Sequence, residues 1–439
     1  MDSRGWPASG RGRARAATRG RPYEGIGVRE GRGSASGTGA MNRAPTDLRA
    51  TGRCRRAPLP QVVLGEGQRG TSGEGPAPSC LPPTARLHWR SFSRPRGPEA
   101  CTERLGRMER LTRARLDEIL ERGRGLRVVV VGDLMLDVYL VGAVSRISPE
   151  APVPVVHVTE ERTALGGAAN VAANVAALGA ACEVVGYVGM DAAGAQIRRE
   201  LAELDGGKVH ARLVERPDRP TTTKTRVVAR QQQVVRFDRE RDDDLPDDCA
   251  AELCEHVRAA VAACDALVLE DYNKGVLVPS VIRTALDAAE AAGIPSVVDP
   301  KFRNFFAFGG ATVFKPNAVE LGTAMASPVR AGDDEWLENA RTQTGARHLL
   351  LTLGEDGMAL RSEGGSSFRI PTQAREVYDV SGAGDTVTAF LAVALAAGAT
   401  IEEAAVLANL AAGIEVGKPG VATVAPDELR AMLADRAEA

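Results

Sequence analysis

Residues 379–398 read DVSGAGDTVTAFLAVALAAG, and this stretch decides the fold. It opens with small residues and continues as a helical stretch that is apolar on nearly every side, which predicts a buried helix. Such a helix begins with free N–H groups and a partial positive charge, and glycine lets a ligand approach them closely. The stretch therefore predicts a phosphate-binding helix N-terminus at Gly382, Ala383 and Gly384.

Asp385 lies in the first turn of that predicted helix. A carboxylate at this position is stabilised as the anion, so it can accept a hydroxyl proton during phosphoryl transfer. An isolated Gly-Asp pair is most often only the acidic start of a helix, but the Ser-Gly-Ala-Gly-Asp run before a buried helix favours a catalytic base. We therefore predict Asp385 as the base, and the N–H groups of residues 382–384 as the groups that stabilise the developing charge.

Upstream of this stretch, strand and helix patterns alternate from Arg127 onward. LRVVVVGD (126–133), CEVVGYVG (182–189) and DALVLED (265–271) read as buried strands. They are separated by helical stretches of about 10 to 15 residues, which predicts a mostly parallel sheet covered on both faces. Residues 138–158 and 221–240 instead alternate polar and apolar side chains, which predicts a small half-exposed sheet that stands off the main one.

The first 107 residues differ from the rest in charge and composition. They carry 20 Arg, no Lys and eight acidic residues, whereas the remainder carries 35 basic and 49 acidic residues. Their apolar residues are too few and too unpatterned to bury a core, which predicts disorder. An organelle transit peptide, a nucleic-acid-binding segment and a start codon assigned too far upstream are the competing interpretations. The absence of Lys favours the last, with Met108 as the true start and one domain over 108–439.

Several classes of protein are excluded by what the sequence lacks. No run of about 18 apolar residues is free of charges or of Pro and Gly breaks, so we expect no membrane span. The seven cysteines are scattered without the paired spacing of a zinc site, which favours reduced thiols in the cytoplasm. No Walker A motif and no G-x-G-x-x-G after the first strand occur, which excludes a P-loop kinase and a dinucleotide-binding first turn.

A second motif, GGAANVAANVAALGA (166–180), precedes the Ser-Gly-Ala-Gly-Asp run at a suitable distance. Together the two motifs resemble the signatures of the ribokinase-like, or PfkB, carbohydrate kinases, and the resemblance covers about 127–425. It implies an ATP-dependent sugar kinase with a three-layer α/β/α fold, a central mostly parallel sheet and a small β-sheet lid.

The same resemblance implies a set of sugar-binding residues. Paired glycines at a helix start, Gly166 and Gly167, allow the sugar to approach the backbone, and Asn170 can bond its hydroxyl groups. Asp137 matches the position of the family's sugar-binding aspartate, and Asp133 is a second candidate. Without the resemblance, the Gly-Gly helix start would have only a structural role.

The nucleotide site is implied in the same way. KPNAVE (315–320) resembles the family's N-x-x-E motif, in which Asn317 and Glu320 organise Mg²⁺ and the ATP phosphates, with Glu320 reaching the metal through water. Oxygen ligands and bridging waters suit this ion. TLGEDG (352–357) resembles the glycine turn near the phosphates, which adds Thr352, Gly354 and Gly357 to the predicted nucleotide residues. Asn409 matches the region that lines the base. Without the resemblance, Glu320 reads as a helix-surface residue and TLGEDG as a hairpin turn.

Within the family, five segments resemble the heptose 7-phosphate kinases: GDLMLDVY (132–139), SRISPEAPVPV (145–155), LGGAANVAANVAALGA (165–180), RPTTTKTRVVARQQQVVRFD (219–238) and EDYNKGVL (270–277). The resemblance implies phosphorylation of the anomeric hydroxyl of D-glycero-D-manno-heptose 7-phosphate to the 1,7-bisphosphate, a step of ADP-heptose biosynthesis for lipopolysaccharide. A substrate that already bears a phosphate needs cations, and Lys274 in EDYNKGVL is assigned to the predicted substrate site. The wider set of candidate cations is Arg146, Lys224, Arg226, Arg236 and Lys274.

Two alternatives stay open at this point. A kinase of the same family that acts on another sugar or sugar phosphate is the nearest one. A nucleic-acid-binding protein that acts through the Arg-rich segment is the alternative from another class. Because the H-x-G-H motif of a fused nucleotidyltransferase is absent, we expect a kinase alone. Exposed edges of the small sheet predict a homodimer through the lid.

Overall fold

A computed structural model of the protein describes residues 111–230, 232–365, 367–374 and 376–438. The predicted disordered segment 1–107 and the proposed start at Met108 lie outside the described residues. None of the helices in these ranges has the length and apolar character that a membrane crossing requires. The cysteines in these ranges are all unpaired and buried: Cys182, Cys249, Cys254 and Cys264.

The described strands are β1 (Arg127–Ile147), β2 (Pro154–Gly167), β3 (Ala181–Gly189), β4 (Val209–Arg216), β5 (Thr222–Ala229), β6 (Gln232–Arg239), β7 (Ala266–Glu270), β8 (Ser296–Asp299), β9 (Val313–Phe314), β10 (His348–Thr352), β11 (Met358–Ser362) and β12 (Phe368–Ile370). The central sheet has the order β4-β3-β1-β7-β8-β9-β10-β11-β12. Neighbouring strands are parallel from β4 to β10, and only β11 and β12 pair in the antiparallel direction. The predicted mostly parallel sheet is therefore confirmed.

Helices cover both faces of this sheet. The described helices are α1 (Arg113–Gly123), α2 (Ala168–Ala177), α3 (Ala192–Glu203), α4 (Asp247–Val261), α5 (Pro279–Ala292), α6 (Ala318–Ala324), α7 (Asp334–Thr344), α8 (Ala383–Ala396), α9 (Ile401–Glu415) and α10 (Pro426–Glu438). Successive side chains of a strand point to opposite faces. Val128 and Val130 accordingly join the core under α1–α3 and α8–α10, while Val129 and Val131 join the core under α4–α7. This arrangement confirms the predicted three layers.

The small sheet branches from the central sheet along β1. The first part of β1, up to Asp133, pairs with β3 and β7, and the part from Leu134 onward pairs with β2 and β5 instead. β5 also pairs with β6, so the lid consists of β2, the second part of β1, β5 and β6. β5 mixes buried and half-buried side chains, as expected of a half-exposed sheet, whereas the side chains of β6 are all exposed, so neither face of β6 is covered as the alternating pattern predicts.

α8 is the element that positions the chemistry. Its residues from Asp385 to Ala394 are all buried, and it packs against α2, α9 and the strands β7 and β8. Gly382, the residue before α8, has a φ of 97°, a left-handed conformation that residues with a side chain rarely adopt. The sharp entry at Gly382 turns the N-terminus of α8 toward the carboxyl ends of the parallel strands.

Candidate active site

The candidate site lies where the central strands end beside the N-terminus of α8. Glu270 is the last residue of β7, and Asp299 is the last residue of β8. Carboxylate oxygens of these two residues and of Asp385 lie within 4.8 Å of one another, and all three residues are buried. Ligands of open α/β sheets bind outside the carboxyl ends of the strands, so the fold and the acidic cluster identify the same place.

Asp385 is held by two hydrogen bonds that fix its carboxylate. The Tyr272 hydroxyl donates to Oδ1 over 2.7 Å, and the Asn170 side-chain amide donates to Oδ2 over 2.8 Å. Burial raises the pKa of Asp385 to about 6, although these two hydrogen bonds oppose the rise. At neutral pH the group is therefore ionised yet has a proton affinity close to that of the medium, which suits a general base.

A helix N-terminus lies at Gly382, Ala383 and Gly384, where the sequence analysis predicts phosphate binding. A β-carbon at Gly382 would lie 2.9 Å from Nδ2 of Asn170, so only glycine fits beside the residues that hold the base. The N–H of Ala383 makes only a long contact of 3.5 Å, with the carbonyl oxygen of Val380. The first N–H groups of a helix have no partner within the helix, so they are available to an anion.

A buried lysine adds positive charge at the same N-terminus. Nζ of Lys315 donates to Oδ2 of Asp299 over 2.7 Å, and it would lie 3.7 Å from a β-carbon at Gly384. Burial alone would lower the pKa of Lys315, but the neighbouring carboxylates, above all Asp299, hold it above its usual value. Lys315 is 2% exposed and stays charged, which makes it a second anion-stabilising group beside the helix.

Asp137 and Gly166, two of the predicted sugar-binding residues, lie against each other. A β-carbon at Gly166 would lie 2.5 Å from Oδ2 of Asp137, so the glycine permits close packing against this carboxylate. Asp137 is 4% exposed and accepts a hydrogen bond from the guanidinium of Arg226. Gly167 is the residue before α2, the helix that carries Asn170.

Two of the predicted sugar ligands have other partners in the structure. Asp133 accepts hydrogen bonds from three backbone N–H groups, those of Tyr272, Lys274 and Val276, at 2.8, 2.9 and 3.1 Å. The Asp133 carboxylate therefore shapes the loop after β7, and its contact with a sugar stays a prediction. Asn170 donates its amide to Asp385, so its Nδ2 positions the base instead of facing a sugar hydroxyl.

Lys274 lies at the junction of the central sheet and the lid. Its Nζ donates to Oε1 of Glu240 over 2.8 Å, and Glu240 follows directly after β6. Lys224, on β5, donates to the other oxygen of the same carboxylate over 3.2 Å. The structure thus brings two of the five candidate cations together on one acid.

The predicted nucleotide residues line one cleft of about 710 Å³. Its polar end includes Lys301, Lys315 and the first residues of α8, and its apolar wall includes Val377 and Val416. All of the residues that the sequence analysis assigned to the nucleotide take part in the lining: Asn317, Glu320, Thr352, Gly354, Gly357 and Asn409. A polar end for phosphates and an apolar wall for a base fit a nucleoside triphosphate.

Glu320 is engaged through both of its carboxylate oxygens. Oε1 accepts a hydrogen bond from Nζ of Lys301, and Oε2 accepts one from the backbone N–H of Asn317 at 2.8 Å. The Asn317 side chain in turn accepts from the Glu320 N–H at 2.9 Å, which completes a capping box at the start of α6. Each oxygen thus has one protein partner and keeps room for a further contact, so the water-mediated contact of Glu320 with Mg²⁺ stays a prediction.

The acidic residues of the cleft nevertheless fit a hard cation. Neither carboxylate oxygen of Glu270 has a hydrogen-bond partner among the described residues. Burial and the neighbouring Asp299 and Asp385 raise the pKa of Glu270 well above its usual value. A cluster of three carboxylates, one of which has both oxygens without a partner, is the kind of ligand set that Mg²⁺ accepts.

Several residues of the site were missed by the sequence analysis. Tyr272 holds the base, Lys315 lies at the helix N-terminus, and Lys301 pairs with Glu320. Asp299 and Glu270 complete the acidic cluster. The overlooked signal was positional, since all five lie at or just beyond the ends of β7, β8 and β9, where the ligand site of a parallel sheet is expected.

Comparison with known families and proteins agrees with this geometry. The family described as pfkB family carbohydrate kinase matches residues 126–428. Among curated relatives, the bifunctional protein HldE of Caulobacter vibrioides is 47% identical over 310 residues, which are 70% of this chain and 63% of that protein. The protein of the same name from Citrifermentans bemidjiense is 44% identical over 323 residues, covering 73% and 66%. The chain thus spans just under two thirds of the length of these relatives.

Solved structures share the fold at lower sequence identity. Arabidopsis thaliana ribokinase, complexed with ribose and ATP, is 24% identical with a TM-score of 0.55, covering 70% of this chain and 99% of that chain. Phosphofructokinase-2 from Escherichia coli is 21% identical with a TM-score of 0.59, covering 71% and 99%. At these identities the likeness concerns the fold alone.

Proposed function

The chain belongs to the pfkB family of carbohydrate kinases, and from this premise we propose that it transfers the γ-phosphoryl group of ATP to the anomeric hydroxyl of D-glycero-D-manno-heptose 7-phosphate. The product would be the 1,7-bisphosphate, an intermediate of ADP-heptose biosynthesis. Two observations support this substrate. The segments GDLMLDVY, SRISPEAPVPV and EDYNKGVL resemble the heptose 7-phosphate kinases, and the relatives at 44% and 47% identity carry the name bifunctional protein HldE.

One observation carries the reaction type, namely the position of Asp385 between the nucleotide cleft and the sugar residues. Ala383 and Gly384 line the cleft, while Asn170 of the sugar motif bonds directly to Asp385. The sugar oxygen attacks the γ-phosphorus, the bond to the β-phosphate oxygen breaks, and Asp385 takes the hydroxyl proton. The N–H groups at the start of α8 and the ammonium of Lys315 stabilise the charge on the phosphoryl oxygens.

Mg²⁺ is part of this proposal. When bound, it would neutralise phosphate charge and align the phosphates with the attacking hydroxyl. Glu320, which lines the cleft, would hold it through water, because Mg²⁺ tends to keep several of its water ligands. The unused oxygens of Glu270, beside Asp299, are the further candidates for its hydration shell.

We also place the enzyme in the cytoplasm as a homodimer through the lid. The unpaired state of the described cysteines supports a reducing compartment. The lid carries exposed apolar side chains, among them Val235 and Phe237 on β6, which are 49% and 52% exposed. Apolar groups on an exposed strand favour pairing with a second copy. Light scattering of the wild type beside Phe237→Lys tests this, since the dimer predicts a smaller particle for the variant.

A panel of acceptors tests the proposed function. ADP release is measured with heptose 7-phosphate, fructose 6-phosphate, fructose and ribose at equal concentrations, and the proposal predicts the highest kcat/KM for the heptose phosphate. A higher value for another sugar would replace the substrate and keep the kinase. DNA and RNA mobility shifts with the full chain test the alternative that residues 1–107 bind nucleic acid.

A further inference from the structure

A charged cluster of four residues joins the lid to the central sheet: Lys224, Lys274, Glu240 and Asp238, which accepts a hydrogen bond from Lys224 over 3.3 Å. Glu240 accepts from Lys274 over 2.8 Å and from Lys224 over 3.2 Å, each lysine using a different carboxylate oxygen. The two lysine side chains are only 15% and 16% exposed, and that of Glu240 is 28% exposed. Although partial burial would raise it, the two lysines hold the pKa of Glu240 below its usual range. One carboxylate thus lies between two well-covered ammonium groups.

This cluster lies on the sugar side of the base. Lys274 belongs to the same loop as Tyr272, whose hydroxyl bonds to Asp385. The Cα atoms of Tyr272 and Lys274 are two residues apart and therefore separated by at most about 7 Å. Asp133 fixes both backbone N–H groups of that loop, so the loop holds a set distance between the base and Lys274. Lys224 lies opposite Asp137 in the register of β5 with β1.

The other candidate cations are less suited to a ligand phosphate. Arg226 is already paired with Asp137, and its guanidinium lies 5.3 Å from the ring centre of Tyr139. Arg236 and Lys224 both pair with Asp238, but the Arg236 side chain is 48% exposed against 16% for Lys224, and Arg146 is exposed near the end of β1. The two lysines are therefore the covered cations that converge on one point.

A phosphate monoester is a better partner for two ammonium groups than a single carboxylate. It carries nearly two negative charges at neutral pH and offers three acceptor oxygens, whereas Glu240 offers one charge and two oxygens. Charge-assisted hydrogen bonds from both lysines would thus be retained and strengthened if a phosphate took the place of the carboxylate. Glu240 lies at the end of a lid strand, so it can withdraw without disturbing the central sheet.

We propose that Lys224 and Lys274 bind the phosphate at the far end of the sugar substrate, and that Glu240 occupies its place until the substrate arrives. The inference rests on the proposed function, since it needs a substrate with a phosphate remote from the attacking hydroxyl. The lysine pair then determines specificity for sugar phosphates over free sugars. Glu240 keeps the pair together while the site is empty, and together with Asp238 it balances their two positive charges.

Three variants of the full chain, Lys224→Gln, Lys274→Gln and Glu240→Gln, test this with heptose 7-phosphate and with the same heptose lacking its phosphate. Each lysine variant should raise the KM for heptose 7-phosphate about ten-fold or more, from the loss of a hydrogen bond to a charged group. The KM for ATP and the turnover or inhibition constant of the free heptose should stay within about two-fold. Glu240→Gln should lower or preserve the KM for heptose 7-phosphate, because it removes the competing carboxylate.

The KM changes expected for the lysine variants and for Glu240→Gln differ in direction, and this difference separates phosphate binding from a purely structural role of the cluster. If the cluster only holds the lid in place, Glu240→Gln and the lysine variants will raise the KM together and will affect both sugars equally, which would overturn the proposal. Unchanged KM values in both lysine variants would also overturn it. The matched control is Arg241→Gln, which lies directly after Glu240 and removes an exposed ion pair with Asp243. Thermal melting checks that each variant folds. Failure of the wild type to prefer heptose 7-phosphate would instead contradict the proposed function.

Discussion

The proposed nucleotide side and the proposed sugar side of the active site differ in the groups that form them. The nucleotide side uses the backbone, namely the N-terminus of α8, the turn at 354–357 and the capped start of α6. The sugar side uses side chains that find their partners across strands, as in the pair of Asp137 with Arg226 and in the lysine cluster around Glu240. Backbone sites require glycines and caps at set spacings, whereas side-chain pairs depend on tertiary structure. Asp385 is the residue at which the two sides meet.

The largest effect is expected where the two sides join. Asp385→Asn keeps the shape of the side chain and removes the proton acceptor, so kcat should fall by about 10²–10⁴-fold. The affinity for ATP should change little, because the backbone groups of the nucleotide side are intact. Steady-state turnover beside calorimetric ATP binding makes this comparison, with the exposed Asp427→Asn as a control. A kcat within about three-fold of the wild type would remove Asp385 from the role of base.

The second prediction concerns Lys315, the side chain that we expect to stabilise the charge of the transferred phosphoryl group. Lys315→Met should lower kcat by about 10²-fold or more, the size expected for removal of a charge-stabilising donor. It also leaves Asp299 buried without its cation, which destabilises the fold. The double variant with Asp299→Asn removes the buried charge pair, so its urea midpoint should recover while kcat stays low. Recovery of both quantities together would show that Lys315 is only structural.

Glu320 gives a smaller effect that is confined to the nucleotide side. Glu320→Gln should weaken the use of Mg²⁺·ATP by about ten-fold, as for loss of an outer-shell metal partner. The KM for the sugar phosphate should be nearly unchanged. Titration of activity with Mg²⁺ measures this, and Val319→Ala on the same helix turn, at a side chain that is 77% exposed, is the control. An unchanged Mg²⁺ dependence would return Glu320 to a capping role alone.

The smallest effect concerns the pH dependence of stability, which we expect to come from two buried acids, Glu415 and Asp271, and not from the paired charges of the lid. Burial, with Asp385 and Asp379 nearby, raises the pKa of Glu415 to about 8, and burial together with Asp133 raises that of Asp271 to about 7. A carboxyl with a raised pKa binds its proton more tightly in the folded state, so its stabilising contribution is present at low pH and is lost as the pH rises through the folded value.

When the pH is lowered from 8 to 6, the free energy of unfolding should therefore increase by an amount on the order of 1–3 kcal/mol. Urea unfolding at the two pH values measures the change. Glu415→Gln removes one of the titrating groups and should flatten the dependence, whereas Lys224→Gln in the lid should leave it in place. A wild type that becomes less stable on going from pH 8 to pH 6 would contradict the burial of these acids.

Sequence patterns predicted the fold most completely, and the residues that they assign to the nucleotide line a single cleft. Valines 128–131 lie alternately in the two cores, as a strand buried on both faces requires, and the small residues before α8 produce the left-handed entry at Gly382. Each of these features follows from local backbone preference or from hydrophobic period, which a single sequence displays.

The sugar side was predicted less well because its side chains choose partners that are distant in the chain. Asp133 follows a strand just as a ligand-binding aspartate would, yet three backbone N–H groups more than 130 residues away take its carboxylate. Asn170 bonds to Asp385, which is 215 residues further along the chain. Such choices are decided by which loops the folded sheet brings together, and residue spacing does not encode them.

The central claim, that both sides serve a single phosphoryl transfer at Asp385, is tested most directly by the fate of the γ-phosphoryl group. Phosphorus NMR of the reaction of the wild-type enzyme with ATP and heptose 7-phosphate follows every phosphate at once. The account predicts one new anomeric phosphate for each ADP formed, with the original 7-phosphate retained, and no such signal with Asp385→Asn on the same timescale. Release of inorganic phosphate without a sugar bisphosphate, or equal formation of the bisphosphate by the Asn variant, would contradict it.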